Sequence, residues 1–251
     1  MNLEDLQLIE RHLNLVLPDV YRQALLVGVT INGADPEPYF VQDAKELLLS
    51  NLELRMRPTP NAFAGAPWPA EYFCIGNDGC GNEYAIDVRD PACQVRLCDH
   101  DLGAFDPRGD DLPGYLRSLK DLFDWRDTTI DVYEDATDVG VDSAPSRYYA
   151  VVTRANERRE SVLNPITLDE WKTVVAADPD LQLREYEIRR NPFSAEEIRI
   201  SRPGLAVMNG LGAMEKFEFY YGRITVCCPS VIALEKLAQF ALALNAKLIT
   251  D

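Results

Sequence analysis

The sequence predicts an α+β protein: helices packed on a twisted antiparallel sheet, followed by a second, smaller α+β domain. Helical apolar spacing near the N-terminus gives way to short strand-like segments around a glycine-bearing bend, and then to a further helix. That order is typical of α+β folds with an antiparallel sheet. Composition then shifts, because eight acidic residues and a single basic one lie between residues 121 and 142. The shift predicts a boundary between two domains.

The N-terminal segments have the spacing of amphipathic helices. Four apolar residues predict a first helix over residues 3–12: Leu3, Leu6, Ile9 and Leu13. The next helix begins near Pro18, which suits a first helical turn, and is expected to stop at Gly28. The stretch "AKELLLSNLELR" predicts a third helix, and the proline-rich stretch within residues 58–71 predicts a loop after it.

The strands of the first domain follow this loop. "EYFCIG" and "NEYAIDV" are rich in aromatic and β-branched residues and predict a hairpin. "QVRLCDHD" predicts a third strand with Val95 and Leu97 on one face. "DLPGYLRSLKDLFDWR" returns to helical spacing, with an apolar stripe formed by Leu116, Leu119 and Phe123.

The chain length leaves room for one large domain or two small ones. It has 251 residues, of which 47% are hydrophobic, so each half has enough apolar side chain for a core. The acidic stretch favours two domains. We expect a first domain over residues 1–127, an acidic linker over 128–146 and a C-terminal α+β module over 147–251.

The C-terminal module has its own helix and hairpin signals. "RYYAVVTR" predicts a strand, and Thr167 with Glu170 forms a capping box that opens a helix. "KFEFYYGRITVCC" predicts a hairpin that turns at Gly222-Arg223. Ser230 is expected to cap the helix that follows, and "LIT" to form an edge strand.

The net charge of −16 bears on partners rather than on fold. Such a charge repels nucleic acid and anionic lipid and attracts cationic partners. The N-terminus lacks the pattern of a secretory signal peptide, and no apolar run approaches the ~18 residues of a membrane span. We therefore expect a cytoplasmic protein that binds neither nucleic acid nor membranes.

The stretch "CIGNDGCGNEYAIDV" suggests a phosphate or calcium loop at first sight. Gly76, Gly79 and Gly81 are not followed by the Lys and Ser/Thr of a P-loop, and the segment leads into a strand rather than a helix. The spacing of Asn and Asp does not match an EF-hand. We expect the glycines to supply positive φ angles in a bend, and we expect no cofactor.

The cysteines predict no metal site. None of the six has the C-x-x-C spacing common in zinc sites. Cys74, Cys227 and Cys228 lie in apolar runs and are expected to be buried. Cys227 and Cys228 are expected to alternate in and out of a strand rather than to form a vicinal disulfide.

The first domain resembles the SUKH superfamily. The resemblance lies in "LPDVYRQALLVGVTINGA", "FCIGNDGCGNEYAIDV", "QVRLCDHD" and "YLRSL", in this order, from about residue 10 to 123. It implies helices on an antiparallel sheet and a non-catalytic role, that of an immunity protein which binds and blocks a secreted bacterial toxin, often a nuclease. The C-terminal half looks like an α+β module that often accompanies such proteins.

Three functional hypotheses follow. The first is an immunity protein that occludes a cationic toxin through an acidic surface formed by Asp78, Asp99, Asp101, Asp106, Glu134, Asp135 and Asp138. The second is an intracellular regulatory scaffold or adaptor with the same fold. The third is an enzyme using Asp99-His100-Asp101, in which an aspartate would orient a histidine base. No local signature marks a nucleophile beside this triplet, so we expect no enzymatic activity.

Overall fold

The computed structural model describes residues 1–56, 67–100, 102–129, 148–190, 197–209 and 214–250. The described residues contain six α-helices and two antiparallel sheets, which confirms the α+β class. They group into two compact units. The described residues from 148 onwards belong to the second unit, together with Met56. The predicted linker lies almost wholly outside the described residues, so its exact bounds stay a prediction.

Four helices lie in the described part of the first unit: α1 (Leu3–Leu13), α2 (Asp19–Val27), α3 (Ala44–Met56) and α4 (Leu112–Thr129). Asn2 caps α1 through a capping box with Asp5, which satisfies two backbone N–H groups at the helix start. Gly28 has φ +81° and ends α2, as the sequence predicts.

The first sheet has four antiparallel strands in sequence order: β1 (Tyr72–Asn77), β2 (Glu83–Asp87), β3 (Val95–Cys98) and β4 (Phe105–Gly109). The predicted hairpin and third strand are confirmed. β4 was not predicted, because its sequence "FDPRG" has a proline in the middle and no apolar alternation. Pro107 is tolerated there because β4 is the outer strand of the sheet.

The main core of the first unit lies between the helices and one face of this sheet. Phe73, Ile86 and Val95 are fully buried among side chains of α1, α2 and α4. The three residues of the predicted α4 stripe all pack on this core, Leu119 buried and Leu116 and Phe123 partly buried. The prediction missed Leu112 and Tyr115, which are buried as well. A smaller cluster covers the other face, where Trp68 packs on Phe105.

The described residues of the second unit form one six-stranded sheet in the order β10-β5-β9-β8-β7-β6, and two α-helices. Its elements are β5 (Tyr149–Thr153), α5 (Leu168–Ala177), β6 (Leu181–Arg190), β7 (Glu197–Asn209), β8 (Met214–Tyr220), β9 (Arg223–Cys227), α6 (Val231–Ala243) and β10 (Lys247–Thr250). The capping box at Thr167, the cap at Ser230 and the edge strand β10 are confirmed.

The long β6–β7 hairpin was not predicted. Among the described side chains of β6, Leu181 and Leu183 pack on the core, whereas Tyr186 and Ile188 are exposed, so the apolar signal of a buried strand ends halfway along it. β7 contains Pro203-Gly204, which argues against a strand interior. The pairing shifts at this point, and Gly204 has φ +81° there.

The β8–β9 hairpin turns one residue earlier than predicted. Tyr221 and Gly222 have φ angles of 49° and 69°, and Arg223 already belongs to β9. Two successive positive φ angles fit the turn type that matches the twist of a two-residue hairpin. The sequence does not indicate this turn position, because a tyrosine in the left-handed region is uncommon.

The predicted burial of the cysteines is only partly correct. Cys74 is buried, whereas Cys227 and Cys228 are exposed. Cys227 ends β9, and Cys228 follows it with φ 49°, so the chain leaves the sheet before the second thiol.

Candidate functional site

Two connections of the first sheet meet at one end of it. They are the β1–β2 bend, residues 78–82, and the described residues of the β3–β4 turn, 99–100 and 102–104, and we call them together the paired turns. Alternate connections of an antiparallel meander lie at the same end of the sheet. Asn82 joins them, because its Oδ1 accepts a hydrogen bond from the backbone N–H of His100 at 3.0 Å. The His100 ring Nδ1 lies 2.8 Å from the same oxygen.

Asp78 organises the β1–β2 bend. Its carboxylate accepts hydrogen bonds from the backbone N–H groups of Cys80 at 2.8 Å and Asn82 at 3.1 Å, and from Asn82 Nδ2 at 2.7 Å. Partial burial raises the pKa of Asp78, but these hydrogen bonds outweigh it and the pKa lies below its ordinary value. The carboxylate therefore stays charged and fixed in place.

The three glycines of this segment have two different roles. Gly79 and Gly81 have φ +75° and +101°, as predicted for a bend. The prediction is wrong for Gly76, which does not have a positive φ. A Cβ atom there would lie 2.3 Å from the backbone oxygen of Tyr39, so Gly76 allows the chain at Pro38–Tyr39 to cross β1 closely.

The β3–β4 turn is organised by Asp99. Its Oδ1 accepts a hydrogen bond from Leu102 N–H at 2.9 Å, and its backbone bonds to Gly103 and Ala104 close the turn. His100 is exposed, and its ring Nδ1 lies within hydrogen-bond distance of the Asn82 amide oxygen. Asp99 and His100 thus take part in the hydrogen bonds that hold the β3–β4 turn in place.

The remaining predicted contact residues differ in position. Asp106 is exposed on β4, opposite Leu97 and one residue after the start of that strand. Asp101, Glu134, Asp135 and Asp138 lie outside the described residues. The structure therefore brings three predicted residues to one end of the sheet: Asp78, Asp99 and Asp106.

Tyr84 is a surface residue that the sequence did not indicate. It is half-buried on β2, where its ring lies close to those of Tyr39 and Tyr115. Burial raises the pKa of Tyr84, the Asp78 carboxylate raises it further, and the Arg108 guanidinium partly offsets this. The Tyr84 hydroxyl thus lies within the electrostatic influence of both the bend and β4.

Negative charge is concentrated in one part of the chain. Residues 1–127 carry 22 acidic and 11 basic side chains, and residues 128–146 carry five acidic and no basic ones. Residues 147–251 carry 14 of each. The whole excess of 16 negative charges therefore belongs to the first unit and the stretch after it.

The family relationship concerns the same part of the chain. The family model for the SMI1 / KNR4 family (SUKH-1) matches residues 1–127, just over half of the sequence. The chain belongs to this family. The SUKH-1 match covers the helices α1–α4 and the strands β1–β4, apart from the last two residues of α4. No curated protein and no solved structure is significantly similar to the chain.

The described residues show neither a metal-binding cluster nor a membrane-spanning helix. Among the described residues, no group of three or more His, Cys, Asp or Glu side chains is placed to hold a metal ion. No helix in the described ranges is long and apolar enough to cross a membrane. The described features near the paired turns are the acidic side chains of Asp78, Asp99 and Asp106 and the half-buried Tyr84.

Proposed function

We propose that the chain is a cytoplasmic immunity protein that binds and occludes a cationic protein toxin, a nuclease, without catalysis or a cofactor. One observation carries this proposal. The entire negative excess of the chain lies in residues 1–146, and the SUKH-1 match lies in residues 1–127. A nuclease that binds nucleic acid through a basic cleft offers a complementary surface.

Occlusion needs fast and tight association rather than chemistry. An acidic surface steers a cationic partner and raises the association rate, and exposed charges lose this effect at high ionic strength. Hot spots of protein interfaces are often tyrosines surrounded by polar residues. Tyr84 is a half-buried tyrosine of β2, the strand that follows the Asp78 bend, and would serve as such a contact.

The predicted acidic residues would contribute in two ways. Asp106 is exposed and would contact the toxin directly, together with Asp101, Glu134, Asp135 and Asp138. The carboxylates of Asp78 and Asp99 accept backbone hydrogen bonds, so they would fix the paired turns and add to the field. Substituting these two would therefore change shape as well as charge.

Co-expression with the toxin encoded by the neighbouring gene tests the proposal. We expect Asp106→Lys with Glu134→Lys to abolish protection of the host cell. The matched control reverses two exposed acids of the second unit, Glu197→Lys with Glu235→Lys, and should still protect. Full protection by the first variant would contradict the acidic contact surface. Several weak partners in a pull-down, instead of one tight partner, would favour the scaffold hypothesis.

A further inference from the structure

Two exposed thiols lie side by side at the end of β9. The Sγ atoms of Cys227 and Cys228 are 3.7 Å apart, and both residues are exposed. Neighbouring side chains of a regular strand point to opposite faces of the sheet. These two thiols nevertheless lie on the same side, and the backbone of the second residue explains why.

Cys228 leaves the strand in the left-handed region. Its φ is 49°, and its backbone N–H donates a 2.7 Å hydrogen bond to the carbonyl oxygen of Tyr148. Ser230, two residues later, caps α6 through a hydrogen bond from Ala233 N–H. The turn between β9 and α6 is thus fixed at both ends, and it holds the second sulfur beside the first.

The other described cysteines provide a contrast. Cys74, Cys93 and Cys98 are buried, and burial raises the pKa of Cys93 to about 11. Such thiols react slowly, because the thiolate is the reactive form. Cys80 is exposed, but it lies in the β1–β2 bend and is not part of the pair.

We propose that Cys227 and Cys228 form a bidentate thiol site for a trivalent arsenical. In the reaction with an organic arsenic oxide, two S–H bonds and the As=O bond break, and two S–As bonds form. The oxygen leaves as water with both protons, and no atom is oxidised or reduced. This site is independent of the proposed toxin contact.

The ligand class follows from the number and type of donors. Thiolates prefer soft, thiophilic centres. Zinc in structural sites takes four ligands, and no group of three or more His, Cys, Asp or Glu is available in the described ranges. The trivalent arsenic atom of an organic arsenical forms one bond to carbon, so two sulfur atoms complete its three bonds. Two thiols held together also bind as a chelate, with an effective concentration of about the millimolar range or above.

Phenylarsine oxide binding to the full chain tests this proposal. Bound arsenical is counted by native mass spectrometry in an excess of 2-mercaptoethanol, which displaces adducts on single thiols. We expect one bound arsenical on the wild type and on the control Cys80→Ser, and roughly tenfold weaker binding or more by Cys227→Ser and by Cys228→Ser. Wild-type affinity in either of these two variants, or loss of binding in Cys80→Ser, would overturn the proposal.

A melting experiment tests whether the fold positions the two thiols, or whether their adjacency in sequence is enough for binding. A ligand that binds the folded chain more tightly than the unfolded chain raises the melting temperature. We expect phenylarsine oxide to raise it for the wild type and for Cys80→Ser, but not for the other two variants. An unchanged or lower melting temperature of the wild type would show that the fold does not prearrange the pair.

Discussion

Asn82 in the β1–β2 bend accepts a 3.0 Å hydrogen bond from the backbone N–H of His100 in the β3–β4 turn. The same side chain donates a 2.7 Å hydrogen bond to Asp78. One amide therefore links the two acidic turns and fixes their relative position. We interpret this link as the structural basis of the proposed binding surface.

Asn82→Ala should weaken the paired turns. The variant loses the hydrogen bonds to Asp78 and His100, and we expect the free energy of unfolding to fall by about 2 kcal/mol. Urea denaturation measures this change. In the control His100→Ala, the backbone N–H still reaches Asn82, so the loss should be smaller. Equal losses in both variants would show that the ring contact, rather than the backbone bond, carries the link.

Asn51→Ala should destabilise the first unit more strongly. Asn51 is fully buried on α3, and its amide bonds both the N–H and the carbonyl of Cys74 in β1, each at 2.8 Å. Truncation would leave two buried backbone groups unpaired, at a cost of about 3 kcal/mol. Ser50→Ala, the neighbouring control, should change stability by about 0.5 kcal/mol or less. A similar effect of both substitutions on urea denaturation would rule out this role for Asn51.

Gly76→Ala and Gly79→Ala should differ in their effects. An added Cβ at Gly76 would lie 2.3 Å from the Tyr39 backbone oxygen, so we expect a loss of about 3 kcal/mol or more. At Gly79 the space is open, and only the φ of +75° opposes alanine, which costs about 1 kcal/mol. Thermal or urea denaturation distinguishes the two. A larger loss at Gly79 would mean that dihedral angle, rather than close approach, dominates in this segment.

The second unit should show a pH-dependent contribution from Glu170. Its carboxylate accepts a 2.7 Å hydrogen bond from Arg154, and it also bonds Thr167 of the capping box. The Arg154 guanidinium first, and then these cap bonds, lower the pKa of Glu170 to about 2. Because the folded pKa lies below the ordinary value of 4.5, the stabilisation is fully present above about pH 4.5. It is lost as the pH falls towards 2.

Hydrogen exchange of the α5 amides, followed from about pH 6 down to about pH 3, checks this effect. The wild type should protect these amides better than Glu170→Gln at the upper end of this range, and the difference should shrink as the pH falls. The glutamine side chain of the variant can still form a capping box, so the comparison isolates the contribution of charge. A difference that grows in acid would have the wrong sign for this account.

Local signals in the sequence predicted much of the fold. The capping box at Thr167, the cap at Ser230 and the stop at Gly28 each depend on a few neighbouring residues, and all are confirmed. β4 and the β6–β7 hairpin were missed, because neighbouring strands rather than local residues stabilise them.

The candidate site was less predictable for a similar reason. Asp78 and Asp99 are visible in the sequence as acidic turn residues, but their hydrogen bonds to the turn backbone are not. The link from Asn82 to His100 spans 18 residues and exists only because the two turns meet at one end of the sheet. The proximity of Cys227 and Cys228 likewise depends on a φ of 49° that a cysteine rarely adopts.

The affinity of the full chain for its toxin, measured by calorimetry at low and high salt, tests the central claim most directly. We predict tight 1:1 binding that weakens roughly tenfold or more with added salt. Asp106→Lys with Glu134→Lys should weaken it in a similar way, whereas Glu197→Lys with Glu235→Lys should not. Affinity that is indifferent to salt and to both variants, or a cognate toxin with an acidic contact face, would contradict the account.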